Sequence, residues 1–486
     1  MTRPIVYTPV ESYDETSILS STLTPTTTNT STTAAGGNHG ESTSDATSWE
    51  EDHRPLLPRS SRTSSSYRQE GDASNHHHLV PTATPFSCAI NLANTILGTG
   101  MLAMPSAMAS VGLLPGILVI LLSAMASGLG LYFLSCSARH TDGRNASFFA
   151  ISKLTWPKMA VVFDLAIAIK CFGVAISYLI IIGDLMPQVV ASFFQDANNV
   201  SILMDRRFWI TLFMVTAVLP LSFLRKLDSL KYTSVVALIA VVYLCVIVIE
   251  HYFASDFTPP PAGSVEWVTF SSKFFSHLPV FVFAFTCHQN IFSVYNELQD
   301  NSQRIINKTI GISIGSSTFI YELIAILGYL SFGKNVSGNV ISEYHQSLFV
   351  AGGRLAIVIL VVFSYPLQAH PCRASLDKVL AWNSPDTRGL KVPPLPSPFK
   401  YFAMTTAILI GSYLVAITVT KLDIVLAFVG STGSTTISFI LPGLFYFKIH
   451  ENDPWEARKI SALALAVYGL LVMVICLTFN IIQLIH

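Results

Sequence analysis

From about residue 85 onward, the apolar residues form runs long enough to cross a lipid bilayer. A hydrocarbon core of ~30 Å requires ~20 apolar residues in helical form. The runs cover about 85–107, 112–136, 159–187, 208–224, 231–252, 273–292, 309–332, 348–370, 400–419, 422–447 and 460–485. We therefore expect an all-α polytopic membrane protein with about eleven transmembrane helices. The fourth run is short and polar residues punctuate the seventh, so ten or twelve helices also fit the pattern.

The first run holds residues that a helix facing lipid does not need. Residues 91–105 contain two asparagines, two threonines, two glycines and a proline. Unwound backbone at membrane depth is tolerated only where protein or a cavity covers it, so this composition predicts a discontinuous helix at a binding site. The amides of Gly98, Thr99 and Gly100 would then face an anion such as a substrate carboxylate, with glycine allowing positive φ and close approach. Alternatively, the glycines allow two helices to pack closely.

The sixth run is interrupted in a position that mirrors the first. Thr286, His288, Gln289 and Asn290 stand where lipid-facing residues are expected. Paired interruptions in corresponding halves indicate an inverted-repeat transporter whose site lies between helices 1 and 6. Helix 11 would then lie outside two five-helix repeats.

Basic residues in the connecting segments predict the orientation. With the N-terminus in the cytosol, the inner segments after residue 80 carry 17 Lys and Arg and the outer segments carry 5. The positive-inside rule therefore favours a cytosolic N-terminus and a luminal or external C-terminus.

Composition separates the chain into two parts. Residues 1–80 are rich in Ser, Thr, Gly and Asn, which predicts a disordered cytosolic tail, whereas 81–486 form the transmembrane domain.

The whole chain is 51% hydrophobic and 12% charged with no net charge, so it lacks the basic surface of a nucleic-acid-binding protein. No nucleophile with a base partner and no phosphate loop is recognisable. We expect neither an enzyme nor a cofactor or metal site.

Ionisable residues inside a membrane are costly and are candidates for function. Lys170 lies deepest in helix 3, where it could replace a coupling ion or pair with Glu322 or an aspartate. Asp164 and Asp184 are close enough to helix ends to be interfacial. His288 could titrate in an acidic lumen or serve only as a hydrogen-bonding strut. The full set is Asp164, Lys170, Asp184, His288, Glu322 and His370.

Several motifs in order resemble one known family. They occupy 91–102, 177–184, 285–290, 328–333 and 364–371. Together they are similar to the amino acid/auxin permease family, and within it to the sodium-coupled neutral amino acid transporters and the fungal vacuolar amino acid transporters. The resemblance covers about 85–485. It implies a LeuT-like fold of five plus five helices with one extra helix, and transport of amino acids.

The resemblance also implies roles for individual residues. The stretch Gly98–Gly100, with Thr95 on the same half-turn, matches the family's carboxylate site. Helix 6 carbonyls near Thr286 and Cys287 would meet the substrate amino group. Asn91 and Ser364 match the sodium ligands of the sodium-coupled members, although a threonine is common at the second position. Asn91 and Ser364 could equally hydrogen-bond between helices. Because the fungal relatives are associated with protons, the coupling ion is left open between H⁺ and Na⁺.

We therefore expect a secondary active amino acid transporter that works by alternating access. The alternative is a membrane amino acid sensor that binds its ligand in the same pocket and signals through the tail without net transport.

The tail carries a candidate sorting signal. Asp52 precedes the pair Leu56 and Leu57 by four residues, and this spacing resembles the acidic dileucine signal that cytosolic adaptors recognise. We expect residence in the vacuolar or lysosomal membrane, with the plasma membrane as the alternative. The expected partners are an amino acid, the lipid bilayer and a sorting adaptor.

Overall fold

A computed structural model describes residues 83–141, 143–194, 200–224, 233–254, 258–269, 271–381 and 397–485. These residues are mostly helical, and their only β pairing is an isolated bridge between Ala83 and Leu298. The predicted all-α architecture is therefore correct. The predicted tail and its sorting signal of Asp52, Leu56 and Leu57 lie outside the described residues.

We number the long helices 1 to 11 in chain order and divide two broken helices into halves a and b. Their bounds are 1a Pro85–Ile96, 1b Gly100–Ala109, 2 Leu113–Ala138, 3 Ala160–Phe193, 5 Thr233–Phe253, 6a Lys273–Ala284, 6b Ile291–Glu297, 7 Gln303–Phe332, 8 Leu348–Leu380, 9 Pro398–Thr418, 10 Leu422–Ile449 and 11 Ala457–Ile485. Helix 4 comprises Arg206–Phe213, a π-helical stretch Met214–Val218 and Leu219–Ser222. Short helices Phe148–Thr155 and Ser201–Met204 precede helices 3 and 4.

Within the described residues, nine helices are long and apolar enough to span a membrane, and the bent pair 1a and 1b makes a tenth. Helix 4 is helical throughout but shorter than a typical span, as its sequence predicts. Helix 7 is continuous despite its polar residues. The Ser313 hydroxyl, for example, lies 3.0 Å from the Ala89 carbonyl of helix 1a and 2.8 Å from the Thr309 carbonyl. Ser313 thus bonds to its own helix and to helix 1a while helix 7 continues.

One end of the helix 1 and helix 6 pair is covered by a loop. The Leu113 amide donates to the Glu266 carbonyl at 3.0 Å, and the Thr269 amide donates to the Val111 carbonyl at 2.8 Å. Gly112 allows this approach because its φ is 87° and a Cβ there would lie 3.0 Å from the backbone of the loop. The segment before helix 6a therefore packs directly on the junction between helices 1b and 2.

The opposite ends of helices 1a and 6b are joined by backbone hydrogen bonds. The Ala83 amide donates to the Glu297 carbonyl at 3.2 Å, and the Gln299 amide donates to the Ala83 carbonyl at 3.1 Å. The Asn296 side chain also exchanges two hydrogen bonds with the backbone of Ala146, at 3.1 and 3.0 Å. The two half-helices and the loop after helix 2 are thus tied together at this end.

Candidate functional site

Helix 1 is broken where its sequence predicts. Helix 1a ends at Ile96, helix 1b begins at Gly100, and the two halves meet at 56°. The Gly98 amide donates to the Ile96 carbonyl at 2.7 Å, so it is already occupied. Amides at the start of a helix lack a carbonyl in a preceding turn. The Thr99 and Gly100 amides donate to no other described residue, so the donors at the break are those of Thr99 and Gly100.

The two glycines of the break serve different purposes. Positive φ was expected here, but neither Gly98 nor Gly100 adopts it. A Cβ on Gly100 would lie 2.8 Å from the Ala284 Cβ, so Gly100 allows helix 1b to pack against helix 6a. A Cβ on Gly98 would have the Ile96 carbonyl oxygen as its nearest neighbour, at 3.9 Å. Close packing explains Gly100, whereas Gly98 lies beside open space.

Helix 6 is broken between Ala284 and a single 3₁₀ turn, His288–Asn290. Thr286 and Cys287 are buried at this break. The Thr286 hydroxyl donates to the Val282 carbonyl at 2.9 Å and accepts from Ser438 of helix 10 at 3.2 Å. The side chain of Thr286 is therefore engaged inside the helix bundle.

Side chains connect the two breaks. The Tyr321 hydroxyl of helix 7 lies 2.5 Å from the Ile96 carbonyl and 3.0 Å from the Ala284 carbonyl. These carbonyls belong to the last residues of helices 1a and 6a. In addition, the side-chain amide of Asn290 donates to the Thr95 hydroxyl at 2.7 Å. The interrupted segments are thus held beside each other.

A cavity of about 960 Å³ adjoins both breaks. Helices 1a, 6b and 8 provide most of its wall, and helices 3 and 5 contribute Tyr178 and Ala237. It extends along helices 1a and 6b as far as Ser87 and Glu297, which are exposed. These ends are the ones that the distribution of basic residues assigns to the cytosol.

Five of the predicted site residues line this cavity. They are Asn91, Thr95, Gly98, Thr99 and Ser364. Gly100, Thr286 and Cys287 do not line it, because Gly100 packs on helix 6a and the other two residues are buried at the second break.

Further polar residues line the cavity without having been predicted as site residues. They are Ser87, Asn94, Tyr178, Gln289, Asn290, Ser293, Glu297 and Gln368. Helical spacing could have found several of them, since residues three or four apart share a face. Asn94 follows Asn91 by three residues, and Gln368 follows Ser364 by four.

The predicted intramembrane ionisable residues lie away from the cavity lining. Both carboxylate oxygens of Glu322 are buried and have no hydrogen-bond partner among the described residues. Among the residues that the structure describes, Lys170 forms no ion pair with Glu322 or with an aspartate. Instead, Asp164 pairs with Lys378 at 3.4 Å, and Asp184 pairs with Arg206 at 3.3 Å.

Lys170 and His288 belong to a buried polar layer between helices 2, 3, 6 and 10. His288 Nε2 lies 3.2 Å from the Ser127 carbonyl, and its Nδ1 has no described partner. Helix 10 contains two π-helical stretches here, Gly430–Ser434 and Thr436–Ile440. A Cβ on Gly433 would lie 2.8 Å from the Lys170 Cβ, so helices 3 and 10 are in close contact. π-helical stretches often occur at functional sites.

Two further polar groups stabilise helix 8. Arg354, which was not among the predicted candidates, is fully buried and donates to the carbonyls of Ile341 at 3.2 Å and Tyr344 at 2.6 Å. His370 Nδ1 lies 2.7 Å from an Arg373 guanidinium nitrogen. Arg354 thus ties helix 8 to the loop that precedes it.

Comparison with known proteins identifies the family. The family model described as transmembrane amino acid transporter protein matches residues 81–486. The chain belongs to this family. It is therefore an amino acid transporter by family and not an enzyme, and the resemblance inferred from its motifs is correct.

Individual relatives match most of the chain. Vacuolar amino acid transporter 5 of Schizosaccharomyces pombe is 48% identical over 416 residues, which are 82% of this chain and 95% of the relative. Vacuolar amino acid transporter 6 of Saccharomyces cerevisiae is 38% identical over 440 residues, 81% of this chain and 97% of the relative. Sodium-coupled neutral amino acid symporter 2 of Danio rerio is 24% identical over 475 residues, 90% of this chain and 92% of the relative.

Substitutions at the two glycines should separate ligand contact from packing. We expect Gly98→Val to leave thermal stability close to wild type and to abolish transport, because the side chain would enter the cavity at the position predicted for the substrate carboxylate. Gly100→Val should lower stability by ~1–3 kcal/mol through overpacking against Ala284. Thermal unfolding and uptake in proteoliposomes measure the two effects. Normal flux in Gly98→Val would contradict the role of helix 1.

Removing the Tyr321 hydroxyl should loosen both breaks. Tyr321→Phe leaves two buried carbonyls without this donor, which costs ~1–3 kcal/mol. We expect a lower unfolding temperature and slower transport with the protein still in its membrane. Tyr413→Phe is a matched control, since Tyr413 bonds Thr211 at an exposed position. Equal effects of the two substitutions would argue against a special role for Tyr321.

Proposed function

We propose that the protein is a secondary active transporter that moves amino acids by alternating access around the breaks of helices 1 and 6. The observation that carries this proposal is the cavity that ends at both breaks and is lined by Gly98, Thr99 and Asn290. The facing breaks also support the predicted LeuT-like arrangement of two inverted repeats, with 81–486 as the transport domain.

In the proposed complex, the substrate carboxylate faces the Thr99 amide with the dipole of helix 1b behind it. Helix 6 supplies acceptors for the amino group. The Phe285 carbonyl already accepts from Ser127 at 2.8 Å, and the Cys287 carbonyl accepts from the Asn290 amide at 2.9 Å. No described residue donates to the Thr286 carbonyl, so we assign the amino group to that oxygen. Because Thr286 is buried and does not line the cavity in this conformation, the assignment requires the break of helix 6 to open toward the cavity during the transport cycle.

We further propose coupling to protons rather than to sodium. Asn91 and Ser364 both line the cavity, so an oxygen site for sodium is compatible with the geometry. Lys170 instead supplies a cation buried in the protein, and Glu322 and His288 each present buried atoms without a described partner. Groups of this kind can take up and release protons without a cavity for a metal ion.

We place the protein in the vacuolar or lysosomal membrane, with a cytosolic N-terminus and a luminal C-terminus. The names of the fungal relatives and the dileucine pattern support the compartment. The excess of basic residues in the inner segments supports the orientation.

Flux measurements in proteoliposomes should identify the coupling ion. We expect uptake to follow an imposed pH gradient in sodium-free buffer, and His288→Gln or Glu322→Gln to weaken that dependence. Asn91→Ala and Ser364→Ala should leave the pH response intact, and any effect on substrate affinity should come from the altered cavity wall. A strict sodium requirement without a pH response would overturn proton coupling, and ligand binding without flux would favour the sensor.

The sorting signal is testable in cells. A fluorescent fusion of the full chain should reach the vacuolar membrane, and the double change Leu56→Ala and Leu57→Ala should redirect it to the plasma membrane. Changing Leu19 and Leu23 to alanine in the same tail serves as a control. A wild-type fusion at the plasma membrane under all nutrient conditions would contradict the organellar assignment.

A further inference from the structure

The wall of the cavity has an asymmetric charge. Among the described residues that line it, Glu297 is the only carboxylic acid, and none is a lysine, arginine or histidine. Side-chain amides provide much of the remaining polarity, and they come from Asn91, Asn94, Gln289, Asn290 and Gln368. Amides can donate to or accept from a ligand, so they do not select the sign of its charge. Selection by charge therefore depends on Glu297.

Glu297 lies at the end of helix 6b farther from the break. It follows Asn290 by seven residues, which corresponds to ~10 Å along a helix. A ligand whose carboxylate and amino groups are held at the breaks would extend its side chain along the cavity. A long substrate side chain and the Glu297 side chain can together bridge this distance.

The Glu297 carboxylate is available to such a ligand. It makes no hydrogen bond or ion pair with another residue that the structure describes, and it is exposed to the cavity. Its backbone carbonyl, in contrast, accepts from the Ala83 amide at 3.2 Å, which fixes the position of the residue. The backbone is held, whereas no described residue engages the charged group.

Arg144, a cation bonded to the backbone on both sides of Glu297, uses its guanidinium group for backbone contacts. Arg144 donates to the Asn296 carbonyl at 3.2 Å, to the Gln299 carbonyl at 3.0 Å and also to the Leu298 carbonyl. It therefore caps the end of helix 6b, where a cation is favourable, and it does not line the cavity.

We propose that the transporter prefers amino acids with a cationic side chain over those with an anionic one, and that Glu297 determines this preference. The inference rests on the proposed function and specifies its substrate class. A cleft with low-dielectric walls and one sign of charge concentrates ligands of the opposite sign. Neutral polar amino acids would still bind through the amides, whereas a substrate carboxylate side chain would be repelled.

Uptake of labelled lysine, glutamine and glutamate by the full chain in proteoliposomes tests the proposal. We expect KM for lysine to be about tenfold or more below that for glutamate. Glu297→Gln should raise KM for lysine about fivefold or more and change KM for glutamine less than about twofold. Glu297→Asp should retain the preference, and Glu297→Lys should improve uptake of glutamate relative to lysine.

Glu451→Gln is the matched control, because Glu451 is an exposed acid paired with Lys448 outside the cavity. It should leave all three KM values unchanged. Equal uptake of lysine and glutamate by the wild type would overturn the inference, as would equal effects of Glu297→Gln on lysine and glutamine. If the preference for lysine fails but glutamine is still transported, the proposed function as an amino acid transporter remains intact. Absence of flux for every amino acid would contradict both the transport function and the substrate preference.

Discussion

The structure depends on how the polar backbone at two helix breaks is satisfied at membrane depth. Lipid offers no hydrogen-bond partner, so interrupted backbone must bond within the protein or face a water-filled cavity. Both solutions occur here. Tyr321 reaches the terminal carbonyls of helices 1a and 6a, and the cavity adjoins the amide of Thr99. The packing of Gly100 against Ala284 keeps the two breaks adjacent.

This arrangement separates two polar regions. The cavity is lined by amides, hydroxyls and Glu297, whereas Lys170 and His288 lie in a buried layer against helix 10. Helix 6 links the two regions, because His288 and Asn290 stand on the same 3₁₀ turn. Under the proposed proton coupling, a change in charge at His288 would reach the substrate through this turn and not through direct contact. Next to this turn, helix 10 contains two π-helical stretches, where the backbone differs from that of a regular α-helix.

Much of the architecture could be predicted because a membrane restricts the choices. Long apolar runs must become helices, and polar residues within them must face protein or water. The breaks of helices 1 and 6 were predicted from such residues. Helix 7 shows the limit of this reasoning, since its polar residues also face neighbouring helices but leave it unbroken. A serine in the sequence does not indicate whether the helix that contains it is continuous or broken.

The sequence by itself determined the helical membrane class, the positions of both breaks and, through its motifs, the family. Hydrophobic length and the cost of unpaired backbone groups act locally, so they can be read along the chain. Tertiary structure alone decided which polar residues share a cavity. It placed Glu297 and Tyr178 on the wall, engaged Thr286 with helix 10 and assigned Gly100 to packing. These outcomes depend on which helices approach each other and on which face of each helix is covered, and residues far apart in the chain determine both.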